Sequence, residues 1–123
     1  MVPYSGLTLA YIGDAYYELM VRRHLLAKGV TRVHKLHDAA IRFTSAEGQA
    51  DAFNIIKGDL TEDEMITFKR GRNAKTDRKA RNASLAAYRQ ATGFEALVGY
   101  LHITNQDDRL DELFAKITKQ FDK

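Results

Sequence analysis

The apolar positions of this chain repeat at helical spacing almost from its start. Leu9, Tyr11, Ile12, Ala15, Tyr16, Tyr17, Leu19, Met20 and Val21 cover most of a helix circumference, the pattern of a buried central element. The spacing predicts a first helix from about Leu7 to Lys28, closed by Gly29, with Arg22, Arg23, His24 and Lys28 near its negative C-terminal end. Thr31 is expected to cap a short turn through Val33 and Leu36. Ala39, Ala40, Phe43, Ala46, Ala50, Phe53 and Ile56 then continue at helical spacing up to Gly58, predicting one long helix. Thr61-Glu62-Asp63-Glu64 is a capping box, followed by Met65, Ile66 and Phe68. That helix is expected to dissolve into Lys69-Arg70-Gly71-Arg72-Asn73, with the residues to about Asn82 forming an exposed basic loop. Ser84 caps a further helix carrying Leu85, Tyr88, Phe94, Leu97, Val98, Leu101 and Ile103, in which Gly93 and Gly99 allow close packing. Leu110, Leu113, Phe114, Ile117 and Phe121 mark a final amphipathic helix. Glycines at 29, 58, 71 and 93 separate segments of helical composition, and no strand pair or internal repeat is visible. The expectation is an all-α fold with a single domain over residues 1–123.

Composition adds limits rather than detail. A chain of 123 residues, 45% apolar, is long enough for one real core and too short for two. It has no cysteine, so disulfides and thiolate metal sites are excluded, as suits a reducing compartment. No stretch approaches the ~20 uninterrupted apolar residues of a membrane helix, and Met1-Val2-Pro3 leads directly into the helical pattern without a Sec-like start. A soluble, cytoplasmic protein is expected. The net charge of +3 does not by itself mark a nucleic-acid binder. Its distribution does more: Lys69, Arg70, Arg72, Lys75, Arg78, Lys79 and Arg81 lie together with only Asp77 opposing them, whereas the segment from Asp107 to Glu112 is acidic.

Two acids interrupt the most apolar helices, Asp14 in the first and Glu95 in the late one. A carboxylate taken out of water needs a cation, hydrogen bonds or a metal. If the two helices cross, the carboxylates meet, and both stay ionised only with a cation between them. Hard oxygen ligands suit Mg2+ or Mn2+. The alternative is that Asp14 caps a backbone or pairs with an arginine while Glu95 reaches solvent. Glu18, one turn beyond Asp14, is open to a similar pair of readings: an outer ligand, or an ion pair with Arg22 in the favourable order. His34 and His37 share a helical face without a third ligand and read as surface or packing residues.

Leu9-Ala10-Tyr11-Ile12-Gly13-Asp14-Ala15 resembles the signature helix of ribonuclease III. The chain is more closely similar to the Mini-III ribonucleases, members of that superfamily that consist of the catalytic domain alone. The likeness continues through Val21-Arg22-Arg23-His24-Leu25-Leu26, Lys69-Arg70-Gly71-Arg72-Asn73-Ala74-Lys75 and Phe94-Glu95-Ala96-Leu97-Val98-Gly99-Tyr100-Leu101. It implies an all-helical homodimer that cleaves double-stranded RNA endonucleolytically, with ribosomal RNA precursors as the substrate class. It further implies that Asp14 and Glu95 are divalent-metal ligands required for cleavage. Larger ribonuclease III enzymes carry a glutamate where this chain has Ala10 and an aspartate where it has Thr92; the Mini-III pattern lacks both. Fewer protein ligands mean weaker metal binding, and the number of metals stays open.

Metal-assisted phosphodiester cleavage needs no histidine or lysine base, which fits a sequence without an obvious catalytic triad. With no separate double-stranded RNA-binding domain, the basic segment has to grip the duplex phosphates. The residues expected to do so are Arg70, Arg72, Lys75, Arg78, Lys79 and Arg81. The segment lacks interleaved aromatics, which argues against a single-strand platform. Tyr11 and the apolar faces of the first and last long helices are candidates for a dimer interface. Two rival readings stay open: a non-catalytic, ribosome-associated RNA-binding relative, for which Ala10 and Thr92 speak, and a helical domain that binds acidic protein.

Overall fold

The computed structural model describes residues 2–75 and 84–123. Among these residues six helices run in the order α1 (Gly6–Ala27), α2 (Val33–Thr44), α3 (Ala46–Ile56), α4 (Glu62–Arg72), α5 (Leu85–Ile103) and α6 (Asp107–Phe121), with a 3-10 turn at Lys57–Asp59. Among the described residues there is no strand.

The chain is organised around the crossing of α1 and α5, which carry small residues where they touch. A Cβ on Gly13 would overlap the Glu95 carbonyl oxygen, and one on Gly99 would overlap the Leu9 carbonyl oxygen. The two backbones therefore approach without intervening side chains, and Leu9, Ala10 and Ala96 close that contact. On the other side of α5 the main core forms from Tyr17, Phe43, Phe53, Phe68, Phe94, Leu97, Leu101, Leu113 and Ile117. The rings of Phe53 and Phe68 stack with centroids 3.7 Å apart, and Tyr17 meets Phe94 edge-on at 4.9 Å.

Side-chain caps fix four helix starts, of which those at Thr61 and Ser84 are expected from the sequence. Ser5 caps α1, accepting from the Thr8 N–H at 3.1 Å, and Ser84 caps α5, accepting from the Ala87 N–H at 3.0 Å. Ser45 caps α3. The capping box at Thr61 is complete: Glu64 accepts from the Thr61 N–H at 2.9 Å and Thr61 accepts from the Glu64 N–H at 3.2 Å. The first helix stops at Ala27, and Gly29 takes a φ of 93°, as a closing glycine does.

Three expectations are corrected. The long helix from the thirties to Gly58 is two helices, because Ser45 adopts an extended backbone with ψ 163° and ends α2 while capping α3. Thr31 does not cap α2; Arg32 occupies that position and makes no side-chain cap. Nor does the helix after Thr61 dissolve at Lys69. It runs to Arg72, so Lys69, Arg70 and Arg72 form its last turn, where their charge complements the helix dipole.

Candidate active site at the α1–α5 crossing

The glycine contact that lets α1 and α5 approach also decides where two acids go. Asp14 follows Gly13, and Glu95 is the residue whose carbonyl Gly13 touches, so the helices bring both carboxyl groups to one side of the crossing. The side chains lie within hydrogen-bonding reach of each other. They face a cleft of about 290 Å³ lined by Leu7, Ala10, Tyr11, Asp14, Tyr88, Thr92 and Glu95. Asp14 is exposed, not buried as its apolar neighbours led one to expect, and Glu95 is half-buried.

The electrostatic result is asymmetric. Burial, reinforced by the Asp14 carboxylate beside it, pushes the Glu95 carboxyl up to about 8, against a partial opposing effect from Gln49. At neutral pH and without a cation, Glu95 therefore holds a proton. The Gln49 Nε2 donates to Glu95 Oε2 at 3.4 Å and to the Thr44 carbonyl oxygen at 3.0 Å.

Ala10 and Thr92 line this same cleft. The positions at which larger ribonuclease III enzymes carry further acids thus lie in the wall of this cleft. Thr92 donates its hydroxyl proton to the Tyr88 carbonyl oxygen at 3.1 Å, within its own helix. Among the described residues no three His, Asp or Glu side chains cluster as a metal site would require of a fully protein-built cage. Two adjacent carboxylates, one of them protonated for want of a counter-charge, still fit a hard cation that keeps several waters, the ordinary habit of Mg2+.

Glu18 does not join them. Its Oε1 pairs with Arg22 at 3.5 Å, the ion-pair alternative, and its Oε2 is buried without a partner. His34 and His37 are exposed, with no ligand cluster about either.

The basic end of α4 lies against the same part of α5. Gly71 packs on Ala96, Gly93 and the Thr92 carbonyl, next to the cleft wall. Lys69 and Lys75 are exposed. Arg70 and Arg72 are half-buried and partly committed: Arg70 donates to the Tyr4 carbonyl oxygen at 2.9 Å, and the Arg72 guanidinium sits 5.7 Å over the Phe68 ring. Arg78, Lys79 and Arg81 lie outside the described residues.

Residues 7–106 match the Ribonuclease III domain. The chain belongs to the ribonuclease III family. Within it the chain is similar to proteins named Mini-ribonuclease 3: one from Enterococcus faecalis is 49% identical over 89% of this chain and 84% of its own length. One from Clostridium tetani is 43% identical over 97% and 80%. A crystal structure of a Fusobacterium nucleatum protein superposes with a TM-score of 0.89 at 27% identity, covering 97% of each chain. Members of the ribonuclease III family act on double-stranded RNA and depend on divalent metal ions. The all-helical architecture and the Mini-III resemblance read from the sequence both hold. No described helix is long and apolar enough to cross a membrane.

Sequence reasoning passed over Gln49. It is 3% exposed, and its fellows on the buried face of α3 are Ala52, Phe53 and Ile56. A signal was present, since residue 49 falls three after Ala46 and four before Phe53 on the apolar stripe, where an amide needs a partner.

Proposed function

We propose that Asp14 and Glu95 hold Mg2+, with Mn2+ as a substitute, and that this centre cuts both strands of duplex RNA to leave 5′-phosphate and 3′-hydroxyl ends. The observation that carries the reading is the convergence of the two carboxyl groups on one cleft. Bound there, the cation would acidify a water and stabilise the charge that develops on the scissile phosphate. Asp14 offers an exposed carboxyl oxygen. Glu95 has to give up its proton before it serves as a ligand, so metal and proton compete for it. Arg70, Arg72 and Lys75 are the residues assigned to the duplex phosphates: Lys75 is exposed, whereas Arg70 is half-buried and held by the Tyr4 carbonyl oxygen.

The substrate class is ribosomal RNA precursor, and the working unit is a homodimer that presents one cleft to each strand. Tyr11 supports the dimer: it stands 78% exposed at the rim of the cleft, with Leu7, Leu19 and Leu26 also exposed along α1. The apolar face of α6 is not available for the same role, because Leu110, Leu113 and Ile117 are buried in the protomer's own core.

Cleavage of a defined duplex by the purified protein, with Mg2+ and with chelator, tests the reading. Metal-dependent cuts on both strands are expected, lost in Asp14→Asn and Glu95→Gln. A second reading, a non-catalytic RNA-binding relative, draws on the absence of acids at Ala10 and Thr92. It would give salt-sensitive duplex binding with no cleavage under any metal.

A further inference from the structure

Gln49 joins three elements at one point. Its amide nitrogen donates to the Thr44 carbonyl oxygen at the C-terminal end of α2 and to the Glu95 carboxylate on α5, while its backbone belongs to the first turn of α3. The corner that carries it is tightly made. Ser45 accepts from the Gly48 N–H at 3.0 Å, and a Cβ on Gly48 would overlap the Arg42 carbonyl oxygen, so the α2–α3 turn closes only with glycine there.

The Thr44 carbonyl also fixes which way the amide faces. It is an acceptor only, so the amide atom pointing at it is Nε2 rather than Oε1. The same nitrogen then presents a donor to Glu95 in every state of the site. A buried donor aimed at a carboxyl oxygen favours the anionic form and restrains its rotamer. The cost is visible at the other end of the side chain, where Oε1 is buried with no hydrogen-bond partner. A leucine of nearly the same volume would fill this position in an apolar helix without that cost, so packing does not account for a glutamine here.

We infer that Gln49 is a positioning residue for the metal centre, holding the Glu95 carboxylate toward Asp14 and so supplying by orientation part of what the missing acids at Ala10 and Thr92 would supply by charge. The inference rests on the reading of Asp14 and Glu95 as metal ligands. It separates the roles of the two: Asp14 is exposed and free to adapt, whereas Glu95 is anchored from behind by α3.

The test uses the full chain with Gln49→Leu and Gln49→Met, two buried replacements of similar volume, so that a folding failure in one leaves the other. Mn2+ binding is measured directly without RNA, together with the half-saturating Mg2+ for cleavage and the duplex affinity in chelator. The expected result is a loss of about tenfold or more in Mn2+ affinity and a matching rise in half-saturating Mg2+. Cleavage should recover at excess metal, and duplex affinity should be unchanged. Metal affinity within about twofold of wild type in a folded variant overturns the inference, as does a loss of cleavage that excess metal leaves in place. If Glu95→Gln binds Mn2+ as well as wild type does, the metal-ligand reading itself falls and takes this inference with it.

Discussion

Glu64 and Glu95 are both held against packed helices, and the chain treats them in opposite ways. Around Glu64 it supplies everything a carboxylate needs. Arg109 donates from Nε at 2.9 Å and from a second nitrogen at 3.0 Å, and the Thr61 N–H donates as well. Arg109 itself also bonds the Asp59 carbonyl oxygen at 2.7 Å and pairs with Glu112. Burial pushes Glu64 up, but these donors outweigh it and hold the group below the usual carboxylate range. Around Glu95 the chain supplies one long amide contact and a second acid, and the group rises to about 8. A carboxylate neutralised by its own protein ties helices together. One left without a counter-charge beside an open cleft is the one that, in the reading proposed above, takes a cation from outside.

The largest effect should come from removing the site that lacks its counter-charge. Asp14→Asn and Glu95→Gln are each expected to reduce duplex cleavage at least about a thousandfold, the equivalent of ~4 kcal/mol of barrier lowering. Thermal stability of the metal-free protein should not fall in either, since each change relieves the cost of holding two acids side by side. A gel assay at saturating Mg2+ with melting curves beside it makes the measurement; wild-type turnover in either variant would erase the distinction between the two glutamates.

Arg109→Ala should do the reverse. It strands a carboxylate whose side chain is 4% exposed, at a cost of about 3–5 kcal/mol, and the melting temperature should drop by roughly 10–20 °C. Below that temperature the variant should still cleave. A drop of only a few degrees would mean that water replaces the guanidinium at no great cost, and Glu64 would then resemble a surface residue.

The contrast between these sites was only half legible in the sequence. Helix starts at Ser84 and Thr61 were readable because a cap is a local event, decided within four residues. So were the two acids in apolar helices, and their convergence followed once both lay on helices that cross. The break at Ser45 was not, because Ala40, Phe43, Ala46 and Ala50 keep apolar period across it and only a backbone angle marks the corner. Arg109 lies 45 residues from Glu64, and no period or motif links them; that partnership exists only once α6 has packed. The same holds for Gln49 and Glu95, 46 residues apart.

Metal binding should separate the sites by linkage. A cation that binds only the folded chain raises its stability by about 2.7 kcal/mol at a hundredfold excess over Kd. Titrating Mg2+ into a melting assay should therefore raise the midpoint of wild type and of Arg109→Ala by similar increments, and leave Glu95→Gln unmoved. An equal rise in Glu95→Gln would place the cation elsewhere on the protein.

The smallest and most discriminating signature is the sign of the pH dependence of metal-free stability. Folded Glu95 keeps its proton up to about 8, whereas in the unfolded chain it loses it near 4.5. Its contribution is therefore complete below 4.5 and is lost as pH climbs toward 8. Glu64, depressed in the fold, contributes above the ordinary glutamate value and is lost as pH falls through its lowered one. Urea midpoints in chelator across this range should show a decline on the alkaline side that vanishes in Glu95→Gln and an acid-side decline that Glu64→Gln flattens. If both variants altered the same limb, the two carboxylates would share one environment, and the division of labour between an occupied site and an open one would have to be abandoned.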